Sequence, residues 1–320
     1  MQSVVITGAS GFIGTRLVAD LIDNGNYRVK ILSRSKAKAS SILGEYASKV
    51  EIFEGDLADS TSLNGLLVEG CIVINLVYLW KGGKHLNIEC VQNLLKACKA
   101  AKIARLVHCS TAAVVGRSPK TLINELTPCV PISEYGLTKL KIEQDIIEYS
   151  QGQFDAVILR PTSVFGKNGE PLKKLSTDLS SGKRWGNYTK SCLFGNRSMN
   201  LIPVANVVSA IVFLSKYAGP FNGDIFIASE DGDRVNNFVE IEKLLMRELR
   251  IKEYPLPRIQ VPLIVLKLLL TLLGRNNTNP TCKFESSKLG KLGFISPVTL
   301  SEGLTEYANW FRSTHSDLSS

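Results

Sequence analysis

The strongest constraint on this chain sits at its start, in Ser3 to Ile22, SVVITGASGFIGTRLVADLI. Val4, Val5 and Ile6 form a β-branched apolar run, the composition of a buried strand. Gly8, Gly11 and Gly14 follow with GxxGxxG spacing, and Phe12, Ile13, Leu17, Val18, Leu21 and Ile22 then recur at helical intervals. The order is strand, glycine turn, helix. Glycine lets the backbone turn tightly and lets a pyrophosphate approach it, while the free N–H groups at the positive end of the helix hold the anion. In this context the glycine cluster predicts a dinucleotide-binding turn built from Gly8, Ser10, Gly11, Phe12 and Ile13.

The following segments repeat the alternation. Tyr27 to Leu32, Val50 to Glu54, Cys71 to Val77, Arg105 to Cys109 and Phe154 to Leu159 read as strands. Helices are expected at Asp59 to Leu67, Lys84 to Ala101 and Glu134 to Tyr149. Right-handed crossovers turn such a chain into an α/β, doubly wound parallel sheet of the Rossmann type. The expected division is a dinucleotide-binding domain over residues 1–165 and a smaller substrate lobe over 166–320, interleaved with the last strands. In the lobe, 166–169 and 182–200 read as loops rich in Gly, Lys and Asn among short elements. A helix at Val204 to Tyr217, a strand at Asp224 to Ala228 and a helix at Asn236 to Leu249 follow.

The formal net charge is +9, but no run of five or six basic residues occurs, so a nucleic-acid patch is not indicated and an anionic small substrate fits the charge equally well. Seven cysteines, an odd number without a CxxC pair, point to a reducing, cytoplasmic setting with no disulfide framework and no metal site. Met1 leads straight into the first strand, so no signal peptide is expected. The segment Val261 to Leu273, VPLIVLKLLLTLL, is too short for the roughly 20 residues that a bilayer span needs. It reads first as a core or lid helix. The second reading is a peripheral membrane contact, with Lys267 and Arg275 at its polar edge.

Two positions bear on the cofactor. Arg34 ends the second strand, and no Asp or Glu stands between Lys30 and Gly44. A basic residue there suits the 2′-phosphate of NADP(H), whereas the ribose of NAD is usually met by a carboxylate. NADP(H) is therefore favoured and NAD stays open, with Ser33 beside Arg34. Asp56 either bonds the adenine or caps the next helix. For the chemistry, Tyr135 and Lys139 share one helical face at i, i+4. A nearby ammonium is expected to lower the phenol pKa from its usual value near 10. Ser110 and Thr111 supply hydroxyls at the end of the fifth strand.

Together these motifs resemble the extended short-chain dehydrogenase/reductase family, in its sugar-nucleotide epimerase/dehydratase/reductase branch. The resemblance rests on TGASGFIG (Thr7 to Gly14), GDL (Gly55 to Leu57), Asn87 with Asn93-Leu94-Leu95, and CSTAAVVG (Cys109 to Gly116). It continues through YGLTK (Tyr135 to Lys139), LRPTSVFG (Leu159 to Gly166), and the C-terminal Leu292-Gly293-Phe294, Pro297 and Glu302-Gly303-Leu304. It implies Thr111, Tyr135 and Lys139 as catalytic residues. It also implies that Leu57, Leu76, Lys139, Pro161 and Val164 join the cofactor site. A homodimer is a further implication of the resemblance.

Some positions depart from the pattern. Asn75-Leu76-Val77-Tyr78 stands where many members have HLAA, and Ala112-Ala113 replaces the Asp-Glu pair that dehydratases carry. Pro203 and Asn206 replace a common His and Asp. Tyr78, Lys183, Arg184 and Arg197 are the candidate substrate residues. The expected function is NADPH-dependent reduction of a keto group on a nucleotide-sugar, with Tyr135 as general acid. A 4-epimerase with tightly bound NAD, a sterol- or isoprenoid-type dehydrogenase and a non-catalytic NADP-binding sensor are the alternatives.

Overall fold

The β-branched runs become the strands of the structure, a computed structural model that describes residues 1–25, 27–259, 261–273 and 279–315. The strands are β1 (Gln2–Thr7), β2 (Tyr27–Ser33), β3 (Glu51–Glu54), β4 (Ile72–Asn75), β5 (Arg105–Cys109) and the short β6 (Leu122–Ile123). They continue as β7 (Asp155–Pro161), β8 (Ser163–Phe165), β9 (Leu201–Pro203), β10 (Asp224–Ala228) and β11 (Lys283–Phe284). The helices are α1 (Phe12–Asn24), α2 (Lys36–Leu43), α3 (Gly83–Ala101), α4 (Glu134–Ser150), α5 (Lys173–Ser180) and α6 (Arg184–Phe194). The rest are α7 (Val204–Lys216), α8 (Phe238–Glu248), α9 (Leu263–Leu272), α10 (Ser287–Lys291) and α11 (Leu300–Thr314).

A seven-stranded sheet runs in the order β10-β7-β5-β4-β1-β2-β3. The pairs β1–β2, β1–β4, β2–β3, β4–β5 and β5–β7 are all parallel. This is the doubly wound Rossmann order, and it places the crossover at β1. The chain forms two compact units and crosses between them several times. The first holds Met1–Val114, Pro131–Arg160 and Val208–Phe226; the second holds Val115–Val130, Pro161–Val207 and Ile227–Ser320.

The core of the first unit gathers Val5, Val73, Leu94, Leu106, Ile142, Ile146 and Ile158 from one face of the sheet and from α3 and α4. Its last segment is tied back by Arg105, which is nearly buried. The guanidinium donates from Nε to Asp155 at 2.6 Å, from Nη1 to the carbonyls of Leu214 and Tyr217, and from Nη2 to that of Gly219. Four charge-assisted bonds offset the desolvation of this cation. The second unit packs Phe165, Leu201, Ile241, Leu245, Leu304, Tyr307 and Phe311 into its own core. Its α11 opens with a capping box in which Thr299 and Glu302 satisfy each other's backbone N–H groups. Asn206 is buried as a bracket: it donates to Glu230 and to the Val298 carbonyl and accepts from the Val298 N–H.

Three expectations are corrected. Residues 59–67 hold only a 3₁₀ turn at Ser60–Leu63, because Asp59 accepts from the Thr61 N–H and Gly65 takes φ +76°. Residues 184–194, expected as loop, form α6. Its inward face carries the polar Asn187 and Ser191, so no hydrophobic period marks it. Residues 261–273 contain α9, but only Leu266 and Leu270 of its described side chains are buried, which excludes a core helix. Arg275 lies outside the described residues. Among the described residues no helix is long and apolar enough to cross a membrane.

Candidate active site

The glycine turn is held by two close approaches. Gly8 takes φ +81°, and a Cβ there would stand 3.1 Å from the Leu76 carbonyl carbon. A Cβ on Gly14 would fall against Gly8 and within 2.7 Å of the Ala9 Cα, so α1 leaves β1 at a distance only glycine allows. The α1 N-terminus has no side-chain cap, which leaves its first N–H groups available to an anion.

In front of it, at the carboxyl ends of β1 to β4, lies an open cleft of about 280 Å³. Gly8, Ser10, Gly11, Arg34, Asp56, Leu57 and Leu76, cofactor candidates from the sequence, line it, and Lys38, not singled out there, joins them. Phe12 and Ile13 follow in the first turn of α1, outside the lining. Lys139 is not in the lining either, and Pro161 and Val164 belong to the second unit. A dipole end without a cap, a glycine cradle and strand-end placement fit a dinucleotide.

Several polar groups around the cleft are engaged locally. Asp56 Oδ1 accepts from the Ala58 N–H at 3.0 Å, which is a local turn bond. Ser33 Oγ donates to the Ser35 carbonyl, and Ser35 Oγ caps α2 by accepting from the Lys38 N–H. Glu54, at the end of β3, accepts from the Lys36 N–H at 2.8 Å. Arg34, before the extended N-cap Ser35, and Lys38, in the first turn of α2, are both exposed.

Behind the cleft runs a buried polar chain. Thr7 Oγ1 donates to Asn75 Oδ1 at 2.8 Å, and so does the Val77 N–H at 3.1 Å. Since the Val77 N–H can only donate, the Asn75 amide nitrogen faces His108 Nδ1 at 3.2 Å, which therefore accepts. Burial, reinforced by the Lys139 ammonium, holds His108 well below its usual pKa, so it is neutral. Asn75, which departs from the family pattern, is thus a strand-end tie between β1, β4 and β5.

The catalytic candidates share the first unit with the cleft. Ser133 caps α4 by accepting from the Gly136 N–H, and Tyr135, Lys139 and Glu143 then recur at i, i+4, i+8. Lys139 Nζ donates to the Cys109 carbonyl at 3.0 Å, beside Thr111 at the end of β5. Glu143 is buried against Arg160, at 2.5 Å from Nη2, and accepts from Ser110. Thr111 Oγ1 accepts from the Ala113 N–H at 3.1 Å. This arrangement welds one face of α4 to β5 and β7.

Tyr135 lies in an aromatic cluster. Trp80 stacks on its ring with centroids 5.0 Å apart and planes at 21°, and Tyr78 meets it edge-on at 4.7 Å. Trp80 itself is 77% exposed. Burial pushes the Tyr135 phenol up to about 12, against a smaller opposing pull from the Thr111 hydroxyl. The lowering expected from Lys139 is not the governing effect here: burial also lowers the Lys139 pKa, and its ammonium faces the Cys109 carbonyl and sits 5.5 Å from the Tyr78 ring centroid.

Trp80 was missed by sequence reasoning, although an aromatic residue two positions past Tyr78 is a visible signal. Asn87 fixes the turn that displays it, accepting from the Leu79 N–H and donating to the carbonyls of Leu79 and Gly83. Two of the lobe candidates have partners of their own. Arg184 donates to the Glu253 carbonyl at 2.7 Å, Arg197 sits over the Phe194 ring, and Lys183 precedes α6.

A family model described as the NAD dependent epimerase/dehydratase family matches residues 4–228. Among curated relatives, the N-acetyl-alpha-D-glucosaminyl-diphospho-ditrans,octacis-undecaprenol 4-epimerase of Escherichia coli O157:H7 is 23% identical, covering 95% of this chain and 93% of that protein. A UDP-glucose 4-epimerase of Vibrio cholerae is 26% identical over 97% of this chain and 95% of its own. The solved dTDP-glucose 4,6-dehydratase of Bacillus anthracis, in complex with NAD, superposes with a TM-score of 0.74 at 17% identity, covering 99% of this chain and 98% of that one. Glycine turn, strand order and the family match over most of the chain agree, and the protein belongs to the NAD-dependent epimerase/dehydratase family of extended short-chain dehydrogenases/reductases.

Proposed function

We propose that this protein is a 4-epimerase acting on a diphosphate-linked sugar, most simply a nucleotide-sugar, with a nicotinamide dinucleotide held in the cleft around Gly8 and Gly11. The observation that carries the proposal is the placement of Thr111 at the end of β5 and of Tyr135 and Lys139 on one face of α4, in the same unit as the cleft. Both curated relatives quoted above carry 4-epimerase in their names. A bound nicotinamide dinucleotide would supply hydride acceptance and return at the sugar carbon. Tyr135 exchanges the proton of the sugar hydroxyl, and Thr111 hydrogen-bonds the same oxygen. Lys139 holds the strand end through Cys109 and places a positive charge beneath Tyr78. Ala112 and Ala113 present no acid pair to eliminate water, which disfavours dehydration.

A second reading, reduction of a keto-sugar with NADPH, is favoured by Arg34 and Lys38 at the cleft rim and by the phenol of Tyr135, which is protonated at neutral pH and so ready to donate. One experiment separates the two. The purified protein is assayed for copurified dinucleotide by mass spectrometry, then incubated with UDP-glucose and UDP-N-acetylglucosamine and followed by NMR. Retained NAD and appearance of the 4-epimer support epimerisation. An exchanging site with a preference for NADPH, no epimer, and NADPH oxidation with a 4-keto nucleotide-sugar support the reductase. Failure to bind either dinucleotide removes both.

A further inference from the structure

α9 reverses the usual pattern of a surface helix. Leu266 and Leu270, four residues apart, face inward, and a soluble helix would then be polar on its other side. Here Ile264, Val265, Leu268, Leu272 and Leu273 are exposed instead, Leu272 to 84%. An apolar patch of this kind on a monomer marks an interaction site. The helix has 10 residues, about 15 Å at 1.5 Å per residue, half of a bilayer core of about 30 Å. It is suited to lie on a membrane rather than cross one.

Charge identifies the partner. Lys267 of α9 lines an open groove of about 240 Å³ with Arg117, Ser118, Pro119 and Asn279. The groove has two cations, a hydroxyl and an amide, and no carboxylate. Arg117 and Lys267 are both exposed, and the chain as a whole carries +9. Apolar side chains that enter the acyl boundary, beside cations at headgroup height, are the recognition chemistry of an anionic lipid surface. A second copy of this chain would bring the same cations against each other.

We propose that α9 docks this protein on the surface of an anionic membrane, with Leu268 and Leu272 inserted and Arg117 and Lys267 on lipid phosphates. This inference is independent of the epimerase reading. The test is flotation of the full chain with vesicles of phosphatidylcholine alone or with about one-third phosphatidylglycerol. Binding to the anionic vesicles only, weakened by salt, is expected. Leu268→Asp with Leu272→Asp should abolish it. Arg117→Gln with Lys267→Gln should weaken it about 25-fold, at about fivefold per charge. All four positions are exposed, so the melting temperature and dinucleotide binding should be unchanged. Equal binding to both vesicles, or to neither, overturns the proposal. So does a leucine variant that turns a dimer into a monomer while wild type ignores vesicles, since the face would then cover a second copy.

Discussion

Replacing Arg160 by Met should be among the most damaging single changes outside the glycine turn. Arg160 and Glu143 are 3% and 1% exposed at the side chain, joined by Nη2–Oε2 at 2.5 Å and by Nε to both carboxylate oxygens. Without the guanidinium, Glu143 keeps Ser110 as its partner among the bonds above and holds a desolvated charge. Breaking one side of such a pair costs about 3–5 kcal/mol. Adding Glu143→Leu removes the stranded charge and leaves chiefly the Ser110 hydroxyl without its acceptor, a cost of about 1–3 kcal/mol. The double variant should therefore be more stable than Arg160→Met alone. Urea unfolding followed by tryptophan fluorescence measures this as a midpoint that falls by about 1 M or more for the single variant and partly returns in the double. A single-variant loss below about 1 kcal/mol, or losses that simply add, would refute the view that α4 is fastened to the sheet by this charge pair.

Tyr135→Phe should lower turnover about 10²–10⁴-fold while dinucleotide binding by fluorescence titration survives; retained turnover removes Tyr135 from the chemistry. Arg34→Asp combined with Lys38→Glu should raise the Kd for NADPH by about tenfold more than that for NADH, and equal losses would mean that neither cation meets a 2′-phosphate. Trp80→Ala should admit water to the Tyr135 ring, so the phenolate absorbance midpoint in ultraviolet titration falls from about 12 toward 10.0; an unmoved midpoint would mean that Tyr78 and the sheet alone desolvate it. His108 is depressed in the folded state from 6.5, so the unfolded chain binds more protons below that value. Stability should fall as pH drops from about 7 to 5, by up to about 1.4 kcal/mol per unit, and His108→Gln should flatten that part of the profile; parallel wild-type and variant profiles would contradict a neutral His108.

The first unit was legible wherever one residue type does one job. β-branched runs gave the strands of a sheet buried on both sides, and β5 matches its expected bounds residue for residue. Gly8 and Gly14 announced the turn because no other residue tolerates those approaches. Arg34 was visible as a cation at a strand end, whereas Lys38, in the first turn of α2, was not singled out although both line the cleft. What stayed hidden depends on partners distant in sequence. Lys139 was expected to act on Tyr135, yet it donates to the Cys109 carbonyl, and burial governs both groups. α6 was hidden because its buried face is polar, with Asn187 donating to the Asp178 carbonyl and Ser191 to Glu242. The exposed leucines of α9 look the same in sequence as core leucines, and only the inward pair Leu266 and Leu270 tells the two faces apart.

The Arg105 clamp has a consequence for synthesis. Three of its four bonds go to carbonyls at residues 214, 217 and 219, more than 100 positions later in the chain. At about 5–20 residues per second, β5 leaves the ribosome roughly 5 to 20 s before those acceptors exist. Until then Arg105 has Asp155 at most, and the edge of the sheet beyond β7 stands open. The glycine turn and its cleft are encoded early, but the unit that carries them closes only when the segment ending at Phe226 arrives. A ribosome stalled before that point would display a nucleotide-binding half with an unpaired strand edge, the kind of surface that chaperones hold and that pairs wrongly when they do not.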